Sequence, residues 1–344
     1  MSELNDHAKQ VRARWAAARL FPLWESPNAH KPPPVPQRAH AWRWTEIRPL
    51  LQLALEETSP AAVERRVLQL ISPYSQSRDA EFTAGMVLAA VQCLLPGEVA
   101  RPHRHTMNAL RFVLEGSGAE TLVDGKPCRM EFGDLILTPA MCWHEHRHHG
   151  SEPMLWLDVL DVPLHNWLGT GVFQPGPVHE FPPTLDDDIF TAAGIQPLHL
   201  GASREHSPMF RYAYQDVVRA LQKSPPLADG SRRVRYVDPV SGKLAMPMLE
   251  CQMWEPDPDQ PTAPERSNAN AVCLVVEGNG RSRIGDDIVE WGPLDVLTLP
   301  QDNWISHTAT SGPCRLFVIT DRDVLSRLGI LREETRSPTL GNPQ

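Results

Sequence analysis

The chain has 344 residues and a formal net charge of -9 at pH 7, a length that accommodates two core-bearing domains or one larger unit with an internal repeat. With that charge spread thinly and no long basic block, electrostatic binding to nucleic acid or an anionic membrane is excluded as the main activity. Six cysteines (Cys93, Cys128, Cys142, Cys251, Cys273, Cys314) without a C-x-x-C pair are expected to be buried reduced thiols in a cytoplasmic protein. No apolar leader and no run of about 18 apolar residues is present, so a soluble, unexported chain is expected.

In chain order, residues 7–20 and 45–70 carry helix-forming composition with apolar residues three and four apart. The second stretch is split at Ser59-Pro60, an N-cap followed by a proline at the first helical position. Residues 1–83 are therefore expected to form an N-terminal helical extension. From residue 84 the texture changes to short apolar runs (MVLAAVQCLL, ALRFVLEGSG, GDLILTPA, MLWLDVLDV) separated by Gly, Pro and Asp, the pattern of a sandwich or barrel over residues 84–165. A proline-rich linker with a helix around MFRYAYQDVVRALQK follows over 166–240. A second β unit is expected over 241–335 and a tail over 336–344.

The two β units form an internal repeat. FVLEGSGAETLVDGKPCRMEFGDLILTPAMCWHEH in the first faces LVVEGNGRSRIGDDIVEWGPLDVLTLPQDNWISH in the second, with Glu115 and Glu277 162 residues apart and Pro139 and Pro300 161 apart. An offset that holds to within one residue means the same barrel built twice.

His103 and His105 carry the chemistry. On a strand, residues i and i+2 share a face, so both imidazoles project into whatever that strand covers and can grip one cation. A lone H-x-H is more often a surface pair, but here it sits in a longer pattern: Gly97-x5-His103-x-His105-x3-Ala109-x6-Gly116, then Gly133-x5-Pro139-x4-His144. This resembles the two-part cupin motif. The resemblance implies a mainly β bicupin, two double-stranded β-helix (jelly-roll) barrels, with His103, His105 and His144 as metal ligands. Not all of the neighbouring His146, His148 and His149 follow, and most of that turn is expected to be solvated loop. Many cupins place a glutamate where this chain has Ala109, which leaves three neutral imidazoles and open positions on the metal, a set suited to non-haem Fe(II). At the corresponding positions of the second repeat stand Glu265, Ser267 and Ile305, so one metal per chain is expected, with the C-terminal barrel a scaffold or oligomer interface.

The chain further resembles the bicupin ring-cleaving dioxygenases of gentisate, salicylate and 1-hydroxy-2-naphthoate, through AHAWRWTEIRPLL, ERRVLQL, LLPGEVARPHRHT, ALRFVLEG, VDGKPCRMEFGDLILTPAMCWHEH, WLDVLDVPL and FVITDRDVLSRLGI. That resemblance implies ferrous iron, an aromatic hydroxy-acid substrate, dioxygen and a homotetramer. It implies that Arg111 pairs with the substrate carboxylate through its two-pronged guanidinium, and that His146 handles the hydroxyl proton. Gln92 and Asp158 match further pocket and supporting positions, and one of Arg65 and Arg66 reaches the site. Leu88 and Ala90 stand where relatives carry an aromatic residue and a glycine, and Met107-Asn108 replaces a more polar pair. Extra methyls on a pocket wall shift preference by about 1 to 3 kcal/mol, so gentisate leads while nitro- or halo-salicylate remains a rival. A non-oxygenase bicupin, whether binding protein, isomerase or decarboxylase, is the alternative of a different class.

Overall fold

The computed structural model describes residues 2–25, 37–63, 65–75, 81–177, 181, 184–192, 195, 197–198, 205–258 and 260–337. In chain order the first half contains α1 (Ser2–Ala17), β1 (Ala41–Trp42), α2 (Trp44–Glu57), α3 (Pro60–Val63), β2 (Arg66–Gln69), β3 (Leu88–Leu94), β4 (Val99–His105), β5 (Ala109–Glu115), β6 (Ala119–Val123), β7 (Lys126–Met130), β8 (Leu135–Thr138), β9 (His144–His148), β10 (Met154–Leu160) and α4 (Val162–Leu168). The second half contains β11 (Phe173–Pro175), β12 (Arg211–Tyr212), α5 (Tyr214–Lys223), β13 (Arg232–Arg235), β14 (Glu250–Glu255), β15 (Glu265–Ser267), β16 (Ala271–Ile284), β17 (Asp287–Trp291), β18 (Val296–Leu299), β19 (Ile305–Thr320), α6 (Arg322–Arg327) and β20 (Glu333–Thr335). No helix among the described residues is long and apolar enough to cross a membrane, and all six cysteines are free and buried.

Met1–Pro36 is one compact unit, in which Trp15 of α1 meets Trp24 edge-on at 5.9 Å. Gln37–Gln344 is the other and contains both barrels. In the first barrel a six-stranded sheet, in the order β12-β8-β5-β10-β3-β2, faces a five-stranded sheet, β11-β4-β9-β6-β7. The second barrel is built on one nine-stranded sheet, because β16 and β19 are long enough to run through both of its faces.

Strand alternation fixes the packing. Along β5, Leu110, Phe112 and Leu114 enter one core that also takes Leu274, Phe317 and Ile319 of the second barrel, whereas Val113 enters the core inside the first barrel. The same split divides β3 and β10: Ala89, Val91, Leu155 and Leu157 face the other barrel, and Leu94, Met154 and Trp156 face inward. Phe112 stacks on Phe317 with ring centroids 4.3 Å apart.

The helical reading of residues 45–70 holds for α2 and the short α3 but ends there. Residues 66–69 are an edge strand paired with β3, Arg66 opposite Cys93 and Gln69 opposite Ala90, because a free sheet edge offers this short run a full ladder of hydrogen bonds. The stretch 166–240 is also more than a linker, since it contributes β11 and β12 to the first barrel and β13 to the second.

The repeat extends upstream of each barrel, and its two copies are exchanged. β1, which precedes the first barrel, pairs with β18 of the second, while β12, which precedes the second, pairs with β8 of the first. The helix after each strand is capped across the molecule: Trp44 N donates to Asp295 Oδ1 and Tyr214 N to Asp134 Oδ1, at 2.8 and 2.9 Å. Their side chains then cross back, Trp44 Nε1 to Glu115 Oε1 (2.9 Å) and the Tyr214 hydroxyl to Glu277 Oε1 (2.6 Å). An acidic cap satisfies an orphan amide at a helix N-terminus, so each helix is tied to both barrels. Gly133, in left-handed backbone at φ 79°, is required here because a Cβ would land on the Tyr214 ring.

Replacing Phe112 with alanine removes the centre of the inter-barrel core. It is expected to cost about 3–5 kcal/mol, read as a lower urea midpoint with the far-UV spectrum of the native protein unchanged.

Candidate metal centre

His103 and His105 lie on β4 and His144 on β9, a paired antiparallel couple. The ladder between these strands slips by one residue between Ala100 and His103, at Pro102, which has no amide hydrogen to give. A one-residue bulge inverts which side chains face the barrel. The slip thus sets both His103 and His105 on the inner face beside His144, and their ring nitrogens lie within 4.8 Å of one another.

Each ring is aimed by a backbone carbonyl two residues away. Nδ1 of His103 meets Arg101 O at 3.2 Å, that of His105 meets Met107 O at 2.8 Å, and that of His144 meets Cys142 O at 3.1 Å. A carbonyl only accepts, so at His105 and His144 Nδ1 carries the proton and Nε2 keeps its lone pair, the arrangement a metal-binding imidazole needs, whereas Nδ1 of His103 also meets the Arg65 guanidinium, which only donates. The buried Nε2 atoms of His103 and His144 have no partner. Buried polar atoms without partners are costly, and a divalent cation held by one ring nitrogen from each histidine resolves that cost, so the donor set fits a metal. Burial is the main force lowering the histidine pKa values, to about 2 for His103 and about 4 for His105, with nearby guanidinium groups adding to it. His144 and His146 move in the same direction for the same reasons. All four rings are neutral at pH 7.

The wall opposite is the inner face of the six-stranded sheet. Ala90, Asp158 and Arg111 stand in register on β3, β10 and β5. Arg111 is buried, its Nε 3.3 Å from Asp158 Oδ1 and its Nη1 donating to Thr138 Oγ1 at 2.6 Å. Trp156 Nε1 donates to the same Asp158 oxygen at 3.0 Å. Burial lowers the guanidinium pKa and raises that of the carboxyl, and each group pulls the other back. Gln92 is buried one row along, opposite Trp156, and Leu88 is buried opposite Leu160.

His146 is buried on β9, its Nδ1 2.9 Å from the Thr121 hydroxyl, its Nε2 without a partner and its ring 5.2 Å from that of Trp156. Of the two candidate arginines, Arg65 reaches the Nδ1 edge of His103, whereas Arg66 turns away to Thr58 O (3.1 Å) and to Glu98. Met107 is half-buried two residues after His105. Asn108 is structural: its backbone and side chain both bond to Asp161 at 2.9 Å, and its Oδ1 accepts from Ala140 N at 3.2 Å.

Sequence reasoning passed over several neighbours. Phe173 of β11 stacks on His103 at 5.1 Å, and Thr121, Thr138 and Trp156 hold His146, Arg111 and Asp158. Only Thr138, directly before the motif proline, carried a positional signal. The histidine-rich turn is also less solvated than its composition suggests. His148 is buried on β9 with Nε2 bonded to Glu152 O at 2.6 Å, and only His149 is exposed.

In the second barrel Glu265 pairs with Ile305 across β15 and β19, as His103 pairs with His144. Its carboxylate is bound by Arg233 Nη1 at 2.8 and 2.9 Å, so a guanidinium, and no imidazole set, faces it.

Two cupin barrels, one of them holding a buried three-histidine group of metal-binding geometry, define the chain as a bicupin. Residues 90–160 match the family described as Cupin domain. Gentisate 1,2-dioxygenase from Ralstonia sp is 34% identical over 341 residues, 96% of this chain and 95% of the relative. 5-Aminosalicylate 1,2-dioxygenase from Comamonas sp is 33% identical over 330 residues, 93% of this chain and 88% of the relative. The crystal structure of salicylate 1,2-dioxygenase from Pseudaminobacter salicylatoxidans, 28% identical, matches with a TM-score of 0.88 over 96% of this chain and 97% of that one, and the same enzyme has been crystallised as an adduct with gentisate. The chain belongs to the gentisate and salicylate 1,2-dioxygenase family of enzymes.

Metal analysis checks the ligand set. His105→Ala is expected to strip the bound metal to background, whereas Glu265→Ala leaves one equivalent per chain, both by elemental analysis after dialysis. Equal loss from the two variants would place metal in the second barrel as well.

Proposed function

We propose that this chain is an Fe(II)-dependent dioxygenase that opens a gentisate- or salicylate-type ring between the carboxyl- and hydroxyl-bearing carbons, with gentisate to maleylpyruvate as the leading case. The observation that carries the reading is the meeting, in one barrel, of three carbonyl-aimed imidazoles with a buried arginine held by Asp158 and Thr138. Identity to a gentisate dioxygenase and a 5-aminosalicylate dioxygenase along nearly the whole chain supports the same substrate class. A cytoplasmic homotetramer with one iron per chain is part of the proposal.

His103, His105 and His144 would hold the ferrous iron, which would supply Lewis-acid and redox chemistry for the substrate and dioxygen. The protein contributes the rest. Arg111 takes the substrate carboxylate, and because it is ion-paired with Asp158 and its Nη1 donates to Thr138, the fork stays fixed while the ligand turns to meet it. His146, neutral and with a buried unpartnered Nε2, accepts the proton of the ring hydroxyl. Ala109 brings no carboxylate to the centre, so the anionic charge there comes from the substrate. Leu88, Ala90, Gln92 and Met107 bound the ring and set which substituents fit.

The test is oxygen uptake by protein loaded anaerobically with Fe(II), across gentisate, salicylate, substituted salicylates and 1-hydroxy-2-naphthoate. Consumption with a member of the panel is expected, and none with any of them would favour a non-oxygenase bicupin. Arg111→Lys keeps the charge that pairs with Asp158 but loses the fork. It should lower kcat/KM by about 10- to 100-fold, the scale of one charge-assisted hydrogen bond, with iron content unchanged.

A further inference from the structure

The second barrel encloses a cavity of about 330 Å³. Its wall keeps one histidine of the first barrel's set: His307 lies opposite Ser282 across β19 and β16, as His146 lies opposite Thr121. His307 is buried, and its Nδ1 is 2.7 Å from the Ser282 hydroxyl, which also accepts from Trp291 Nε1 at 2.9 Å. An indole N–H only donates. With the Trp291 N–H on one lone pair of the hydroxyl oxygen, we assign the serine proton to His307 Nδ1, an assignment that puts the imidazole proton on Nε2. Burial pushes the His307 pKa down to about 3, so the ring is neutral and carries one proton only. With Nδ1 tied to the wall, Nε2–H points away from it, into the cavity that His307 lines.

Arg233 supplies a second free donor. It is held by Glu265 and lies 4.2 Å over the Trp254 ring, and its buried Nε has no partner. Trp254 is also 5.6 Å from His307, so both donors flank one indole. The neighbouring polar groups are satisfied: Gln252 bonds Glu250 and Trp254, both at 2.7 Å, and Thr320 bonds Asn270 O at 2.8 Å. In the first barrel, the partnerless ring nitrogens of His103 and His144 mark the place of a metal. Here both are donors, so the missing group is an acceptor, and the apolar sides of the cavity at Leu299 and Ile305 suit a ring.

We propose that the second barrel is a metal-free binding site for a small aromatic monocarboxylate, whose oxygens accept from His307 Nε2–H and Arg233 Nε–H beside Trp254. Among the lining charges, Glu265, Glu334 and Glu333 are paired with Arg233, Arg266 and Arg322, so no carboxylate of the lining faces the cavity without a cation. The site is independent of the reaction assigned to the first barrel, because it uses none of that barrel's residues.

Fluorine NMR of full-length, metal-free protein with 4-fluorobenzoate tests this. A bound resonance is expected that persists in Arg111→Lys, and whose dissociation constant rises about 10-fold or more in His307→Phe, the scale of one hydrogen bond to a charged group. Ile305→Phe, which fills the cavity and leaves His307 in place, should also remove it and serves as the second variant if His307→Phe does not fold. The proposal is overturned if no resonance appears at millimolar ligand, meaning a cavity that holds water only. It is equally overturned if the resonance is lost in Arg111→Lys and survives in the two second-barrel variants.

Discussion

The stacking of Phe112 on Phe317, 4.3 Å between centroids, is the contact on which the placement of the site depends. It commits one face of β5 to the other barrel, and because strand side chains alternate, it also commits Arg111, the preceding residue, to the lumen. The same constraint acts on β10, where Leu157 and Val159 are spent on the inter-barrel core and Asp158 between them turns inward. Two apolar choices thus bring opposite charges into register. Once there, neither partner is dispensable: removing one leaves the other buried and unpaired, at about 3–5 kcal/mol.

Within the ligand set, the shared face of His103 and His105 was legible from the two-residue repeat of a strand, and His144 from the resemblance to the two-part cupin motif. The internal repeat was legible because its glycines and prolines sit at turns with few alternatives. What escaped was governed by pairing between distant segments. β1 and β12 have two residues each, too few to show any period, and they exist because a partner edge accepts them. Residues 66–69 read as helix for the same reason, since composition weighs a segment by itself while the edge of β3 decides. The slip at Pro102 is the clearest case. His-x-His specifies that two imidazoles share a face, but only the register against β9 specifies which face.

Comparison of the two barrels separates residues that build the fold from residues that use it. The clip of Asn108 to Asp161 and Ala140 has its copy in Asn270, Asp321 and Gln301, with Asn270 N 2.8 Å from Asp321 Oδ1 and Gln301 N 3.1 Å from Asn270 Oδ1. Thr121 with His146 has its copy in Ser282 with His307. The three ligands have none. Asn108 therefore belongs to the first kind, although its position beside the H-x-H invited a reading as a substrate contact. The exchange of β1 and β12 belongs there too, since it binds the barrels through the reciprocal caps of Trp44 and Tyr214 whether or not either lumen holds a ligand.

The charge of the first lumen then sets what it can hold. Three neutral imidazoles return none of a divalent ion's charge, and the other ionic groups close by are Arg65 against His103 and the Arg111–Asp158 pair. Asp158 is already shared between Arg111 and Trp156, so it offsets one guanidinium and nothing more. In a buried site, where charges interact far more strongly than in water, a metal-loaded barrel of this composition is cationic until an anion enters. A carboxylate next to an ionisable hydroxyl supplies two negative charges and two oxygens together, whereas a neutral phenol supplies at most one and a lone carboxylate leaves a coordination position to water. In the proposed reaction, selection for ortho-hydroxy acids would thus begin in the electrostatics of the ligand set and Arg111, before any contact with the ring, and Leu88, Ala90 and Met107 would choose among rings that have already passed that filter.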